Sequence, residues 1–190
     1  EREIRDFVAG KTAWLTKYMA LVPEKIKFQY VTGEIHHVFG RAYPLHVCLG
    51  MRDEAVVSTD GELQLVLRTK QSDREDIFKE GMKRILLWEI EKQLEIWTKR
   101  MAIPESRITG VTIRVMKSRW GSCRRVTGRF SFALDLVTKP KECIEAVVVH
   151  ELCHLFAAGH GPDFYARMET YLPDYKERDR LLSSLPRELV

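Results

Sequence analysis

The stretch VVVHELCHLFAAGHGPDFY, residues 147–165, constrains this chain more than any other. It places three of the six histidines, His150, His154 and His160, within eleven positions. His150 and His154 stand four apart, so on a helix their side chains leave one face about one turn apart. Two imidazoles so placed reach one zinc ion at about 2 Å each. Glu151 lies roughly 100° around the helix from His150. That takes it off the metal face but leaves it placed to accept a proton from a water on the metal. Zinc lowers the pKa of such a water toward about 7, and a carboxylate then completes the nucleophile.

A catalytic zinc needs a third protein ligand and an open fourth position. On a continued helix His160 would stand about 600° around from His154 and about 9 Å further along, out of reach. The chain must turn back first. Gly159 is expected to make that turn with a positive φ, ending a helix that Pro140 opens. Val147, Val148 and Val149 before the motif, and Leu152, Cys153, Leu155 and Phe156 within it, supply the apolar faces of a core-buried helix. The alternative is a buried helix with satisfied histidines. It would have to bury three imidazoles and a carboxylate without a partner, at high cost.

The rest of the chain reads as α+β. Residues 3–20 carry apolar positions at helical spacing (Ile4, Val8, Trp14, Leu15, Met19) ahead of Pro23. From 27 to 70 the runs shorten and alternate, punctuated by Gly33, Gly40 and Gly50. Asp60-Gly61 reads as a hairpin turn, with Leu63, Leu65 and Leu67 on one face beyond it. A small, mostly antiparallel sheet is expected there. Residues 73–103 return to the helical period, with a stripe of Ile77, Met82, Ile85, Leu86, Ile90, Leu94, Ile96 and Trp97 closed by Pro104. Residues 111–117 and 129–137 read as two strands joined through a loop that includes RRVTG. PDFYARMETYL and PDYKERDRLLSSL follow the third histidine as a helical tail, with Lys176 to Arg180 on its wet face. The division is an N-terminal helix and β-rich segment over 1–72 and a core over 73–190. No linker separates them, so the two read equally as one continuous domain.

Composition removes other classes. The chain has 190 residues, 45% hydrophobic and 31% charged, which is an ordinary globular mixture. A net charge of +4 permits a nucleic-acid partner without requiring one. No apolar run approaches the roughly 18 residues of a membrane span. EREIRDFVAG lacks the apolar region of a secretory signal and an initiator methionine, as a trimmed or partial chain would. Cys48, Cys123, Cys143 and Cys153 form no CxxC pair, which argues against a zinc ribbon or a disulfide framework and for a reducing cytoplasm.

Arg119 leads into WGSC, then a strand, a Pro-initiated helix reading VVVHELCHL, a third histidine, a phenylalanine and YLPDYKER. This order resembles the YgjP-like family of zinc metallopeptidases, which is similar to the SprT-like proteases. The resemblance spans residues 83 to 182, and TGEIHHVFGRAYPLHV resembles a further family element upstream. It implies a zincin-like core built around an HExxH active-site helix, with a small antiparallel sheet. It also implies Zn2+ on His150, His154 and His160, with Glu151 as general base. The chain departs from the family's usual residues at Gly159 (Asn in the family), at Ala133-Leu134 (Asn-Trp) and at Ala146 (Tyr). A metzincin pattern shares the spacing of the third histidine but has glycine where this chain has Ala157, and no Met-turn follows.

Other side chains have two readings each. Arg119 is a candidate to polarise the scissile carbonyl or hold a substrate carboxylate. Trp120 and Gly121 either set an edge strand for an extended peptide or pack on the core at a bulge. Cys123 is a weak candidate for a reactive thiol, and Cys153 points away from the ligands' face. His36 and His37 fall on opposite faces of a strand. Tyr165, Tyr171 and Tyr175 are candidate oxyanion donors among which the sequence does not choose. The expectation is a cytoplasmic zinc metallopeptidase acting on peptide or protein substrates, with no membrane partner. Two rivals are a DNA- or complex-associated module of SprT-like type and a metal-stabilised domain without turnover.

Overall fold

The computed structural model describes residues 27–189, so the helix expected over 3–20 lies outside the described residues. Four strands form the first sheet: β1 (Ile35–Val38), β2 (Arg41–Leu49), β3 (Glu54–Val57) and β4 (Leu63–Leu67), in the order β1-β2-β4-β3. The hairpin at Asp60-Gly61 is present, with Gly61 at φ +79° and Val57 opposite Leu63. Leu63, Leu65 and Leu67 are buried together, as their alternation requires. The sheet is mixed at its centre, because β2 runs parallel to β4 while the two outer pairings are antiparallel.

Helix α1 spans Arg74–Arg100. Asp73 caps it, accepting from the Asp76 N–H at 3.1 Å, and Glu75 and Asp76 face the positive end of its dipole. Phe78, Met82, Leu86, Ile90 and Leu94, each four apart, form the buried stripe with Trp97. Phe78 belongs to that stripe, and Ile96 lies on the solvent side. Pro104 does not itself stop the helix. Ala102 takes a left-handed conformation (φ 52°), with the Ile103 N–H on the Thr98 carbonyl and the Ala102 N–H on that of Lys99. This is a Schellman ending, which satisfies the last carbonyls.

The second sheet contains β5 (Gly110–Arg114), β6 (Gly121–Arg124) and β7 (Arg129–Ala133), in the order β5-β7-β6. The expected pair of strands is therefore a trio. Within RRVTG, Arg124 ends β6 and residues 125–128 form the turn to β7, and residues 134–138 form a buried 3₁₀ turn instead of extending the strand. Helix α2 (Lys141–Cys153) follows Pro140, then come α3 (Pro162–Tyr171) and α4 (Tyr175–Ser184). Phe130 and Phe132 of β7, the inner face of α2 and the α1 stripe belong to one continuous apolar core. Among the described residues no helix is long and apolar enough to cross a membrane. Arg178 departs from the wet face of α4, ion-pairing with Glu145 of α2 and with Asp174.

Candidate active site

The motif helix ends earlier than Gly159. His154 is its C-cap, still in right-handed helical conformation (φ −65°, ψ −16°), so His150 and His154 keep the one-face relation of a helical pair. The reversal is made by tight turns, from the Leu155 N–H to the Leu152 carbonyl and from the Phe156 and Ala157 N–H groups to the Cys153 carbonyl. Gly159 is absent from the positive-φ glycines, and a β-carbon there would meet open space. The turn expected of it is made four residues upstream, and the six residues after His154 are enough to return His160 to the face.

The outcome is convergence. One nitrogen from each of His150, His154 and His160 lies within 4.8 Å of the other two, and the Nε2 atoms of His150 and His160 are 3.0 Å apart. Tetrahedral zinc ligands at about 2.0–2.1 Å from the ion stand about 3.3 Å from one another, so the trio is close to the span a small cation needs. His154 Nδ1 donates to the Ala157 carbonyl at 3.1 Å, which leaves Nε2 as the nitrogen with a free lone pair. Burial, reinforced by the neighbouring His154 and His160, pushes His150 down to about 4. Burial also lowers His154. Neutral imidazoles are the form that ligates. Among the described residues no fourth histidine, cysteine or acidic side chain joins the three.

Phe164 of α3 is the phenylalanine that follows the third histidine in the family pattern, and sequence reasoning assigns it no role. It is buried, and its ring centroid lies 4.9, 4.8 and 4.7 Å from those of His150, His154 and His160. Its spacing from Met168 and Gly161-Pro162 at the helix start were the available signals. Phe164→Ala is expected to cost about 3–5 kcal/mol, read as a fall in the denaturant midpoint. A loss below about 1 kcal/mol would show that the ring is not the platform under the trio.

Glu151 lies beside the trio, almost wholly buried. Burial raises its carboxyl to about 8, with Arg119 pulling the other way, and its Oε2 has no hydrogen-bond partner. It faces the backbone of β6: a β-carbon on Gly121 would sit 2.6 Å from Glu151 Oε1. Glycine at 121 is what allows the strand to pass this close, and no bulge is involved. A cleft of about 600 Å³ opens in front, lined by Arg119, Trp120, the three histidines and Tyr165 among others.

Arg119 reaches this cleft and is exposed. The loop that carries it is tied down by the C-terminal segment. Arg187 donates to the Met116 carbonyl at 2.7 Å and the Arg119 carbonyl at 3.2 Å, and its guanidinium lies 3.7 Å over the Trp120 ring. Asp135 anchors the segment by accepting from the Glu188 and Leu189 N–H groups. Trp120 therefore packs on the core as well as on Arg187. Tyr165 and Tyr175 line the cleft, and Tyr171 does not. Cys123 lines it too, but burial and the Glu151 charge push its thiol up to about 11, against a reactive thiolate. Cys153 is buried and does not line the cleft. His36 is buried among Phe28, Tyr30 and Phe78, while His37 bonds Glu188, so neither belongs to the site. Of the departures from the family pattern, Ala146 lines the cleft, whereas Ala133 and Leu134 are core residues.

Three imidazoles around one point, with a buried carboxyl group beside them and a cleft in front, form the equipment of a metal-dependent hydrolase. Comparison with known proteins gives the class a family. The chain belongs to the YgjP-like family: the model of the YgjP-like metallopeptidase domain matches residues 1–185. The protein is thus a metallopeptidase by family, with a histidine trio able to hold the metal that this implies. No curated protein matches the chain. Two solved structures are similar to parts of it. The metallopeptidase zymogen of Pyrococcus abyssi abylysin is 24% identical, over 53% of this chain and 99% of that one, at a TM-score of 0.45. The metallopeptidase zymogen of Methanocaldococcus jannaschii jannalysin is 20% identical, over 50% and 93%, at 0.44.

Proposed function

We propose that the metal is zinc, held by His150, His154 and His160, and that the protein hydrolyses peptide bonds with Glu151 as general base. The observation that carries this is the convergence of the three imidazoles beside a buried carboxylate with an unpartnered oxygen. Zinc, when bound, supplies the positive charge that acidifies a water and polarises the scissile carbonyl. Glu151 takes the proton on its carboxylate and later delivers it to the leaving amine nitrogen. Arg119, exposed at the cleft, orients the substrate by its carbonyl oxygen or a carboxylate. The substrate chain lies extended along β6, whose outer edge pairs with no other strand among the described residues. Among the described residues no fourth side chain joins the trio, which favours this reading over a closed, purely structural site. Free thiols at all four cysteines suit a reducing cytoplasm.

The test is metal content and turnover of the protein purified without a metal-chelating tag. About one zinc per chain, with hydrolysis of an unstructured polypeptide abolished by chelation and restored by zinc, is the expected result. A chain free of zinc, and as stable with chelator as without, would overturn it.

A further inference from the structure

Between Ser106 and Leu134 the chain carries seven basic residues and no acidic one. With 31 basic and 27 acidic residues in all, the remainder is net −3, from 24 basic against 27 acidic. The charge of the protein is therefore segregated onto the second sheet and its loops. All seven are exposed, and among the described residues none takes part in an ion pair.

The strand register places several of them on one face. Arg124 of β6 stands directly opposite Arg129 of β7, and Arg114 extends from the same face of β5. Like charges in direct cross-strand register destabilise a sheet unless an anion lies over them. Between these arginines runs a row of hydroxyls: Thr112, Ser131 and Ser122 are in register, with Thr112 Oγ1 and Ser131 Oγ 2.9 Å apart. An open groove of about 860 Å³ covers this face. It meets the metal cleft at β6, where Arg119, Ser122 and Cys123 line both.

That junction decides what the anion belongs to. A strand paired with β6 sends alternate side chains to opposite faces of the sheet. One set would point toward the cleft beside Glu151, where Gly121 and Cys123 face. The other set would lie on the outer face beside Ser122 and Arg124. We propose that this outer face is a docking surface for acidic polypeptide, reading carboxylates at every second residue of the segment that pairs with β6. The proposal rests on the peptidase reading of the cleft and adds a substrate class to it. Arginine suits the task, since its guanidinium grips a carboxylate with two parallel hydrogen bonds. Single-stranded nucleic acid is served less well, because the one aromatic residue lining the groove, Phe130, is buried and offers no stacking platform.

Fluorescence anisotropy on the zinc-loaded full chain tests this. The probes are a labelled peptide with glutamate at every second position, its glutamine counterpart, and a DNA duplex as competitor. The glutamate peptide is expected to bind at least about tenfold tighter than the glutamine one, an advantage that shrinks with added salt. Arg124→Glu should abolish the advantage. Because that glutamate would face Arg129 across the strands, the variant should melt no lower than wild type. Equal binding of the two peptides overturns the proposal. So does a duplex that displaces the peptide and itself loses affinity in Arg124→Glu, which would make the face a phosphate-backbone surface. Zinc content and hydrolysis of a neutral peptide by the wild type report on the peptidase reading separately. Tight binding of the glutamate peptide without hydrolysis of any peptide would sink that reading and leave the docking surface standing. Equal kcat/KM on acidic and neutral peptides would do the reverse.

Discussion

Glu151→Gln is expected to lower kcat by about 10²–10⁴-fold while zinc content stays at the wild-type level. Glutamine keeps the shape of the side chain but cannot accept and then return a proton. The proposed metal ligands are untouched, because Glu151 is not part of the histidine trio. Folding is not compromised either. The carboxylate occupies a buried position against Gly121 with one oxygen unpartnered, and desolvation already disfavours its charge. A neutral amide of the same size removes that penalty. The variant should therefore melt at or above the temperature of the metal-free wild type. Zinc measurement, a melting curve and a turnover assay on one preparation check all three points. Turnover within about tenfold of wild type would show that the proton passes through another group.

How much of this was legible in the sequence depends on how far apart the cooperating residues are. The trio and its carboxylate sit within eleven residues, and a period of 3.6 is enough to put His150 and His154 on one face. The α1 stripe is legible for the same reason. The detail that failed is the role of Gly159. A glycine before the third histidine looks like a left-handed stop, but the helix already ends at His154, whose own Nδ1 holds the Ala157 carbonyl and closes the turn. Backbone tight turns at residues 155–157, with the His154 ring on the Ala157 carbonyl, did the work assigned to a left-handed glycine.

Pairing between distant strands left weaker traces. The parallel pairs β2–β4 and β5–β7 join segments whose apolar patterns are equally compatible with antiparallel neighbours. The strand β6 was read only as a conditional edge at Trp120-Gly121. GSCR has no alternating apolar face because it is four residues long, with Gly121, Ser122 and Cys123 all half-buried and Arg124 exposed. Arg187, 71 residues from the Met116 carbonyl it holds, has no local signature at all. The cationic face combines the two cases. Its composition is plain in the sequence, but the juxtaposition of Arg124 with Arg129 exists only once the β6–β7 register is known.

His160→Ala is expected to reduce zinc content from about one per chain to a small fraction of that, and to abolish hydrolysis with it. It is the cleanest of the three ligand substitutions because His160 is exposed, so removing its ring opens no core cavity. His150 in the last turn of α2 and His154 at its C-cap are partly buried, so a truncation there would confuse lost metal with lost packing. The distinguishing measurement is the melting temperature with and without chelator. A ligand that binds only the folded chain adds RT ln(1 + [L]/Kd), about 4 kcal/mol at a thousandfold excess over Kd. The wild type should therefore lose several degrees on chelation. The variant should start near the chelated wild-type value and not move. If the histidines were merely core residues, the order would invert. Chelator would leave the wild type unchanged, and the exposed His160 would be replaceable at no cost in stability or activity.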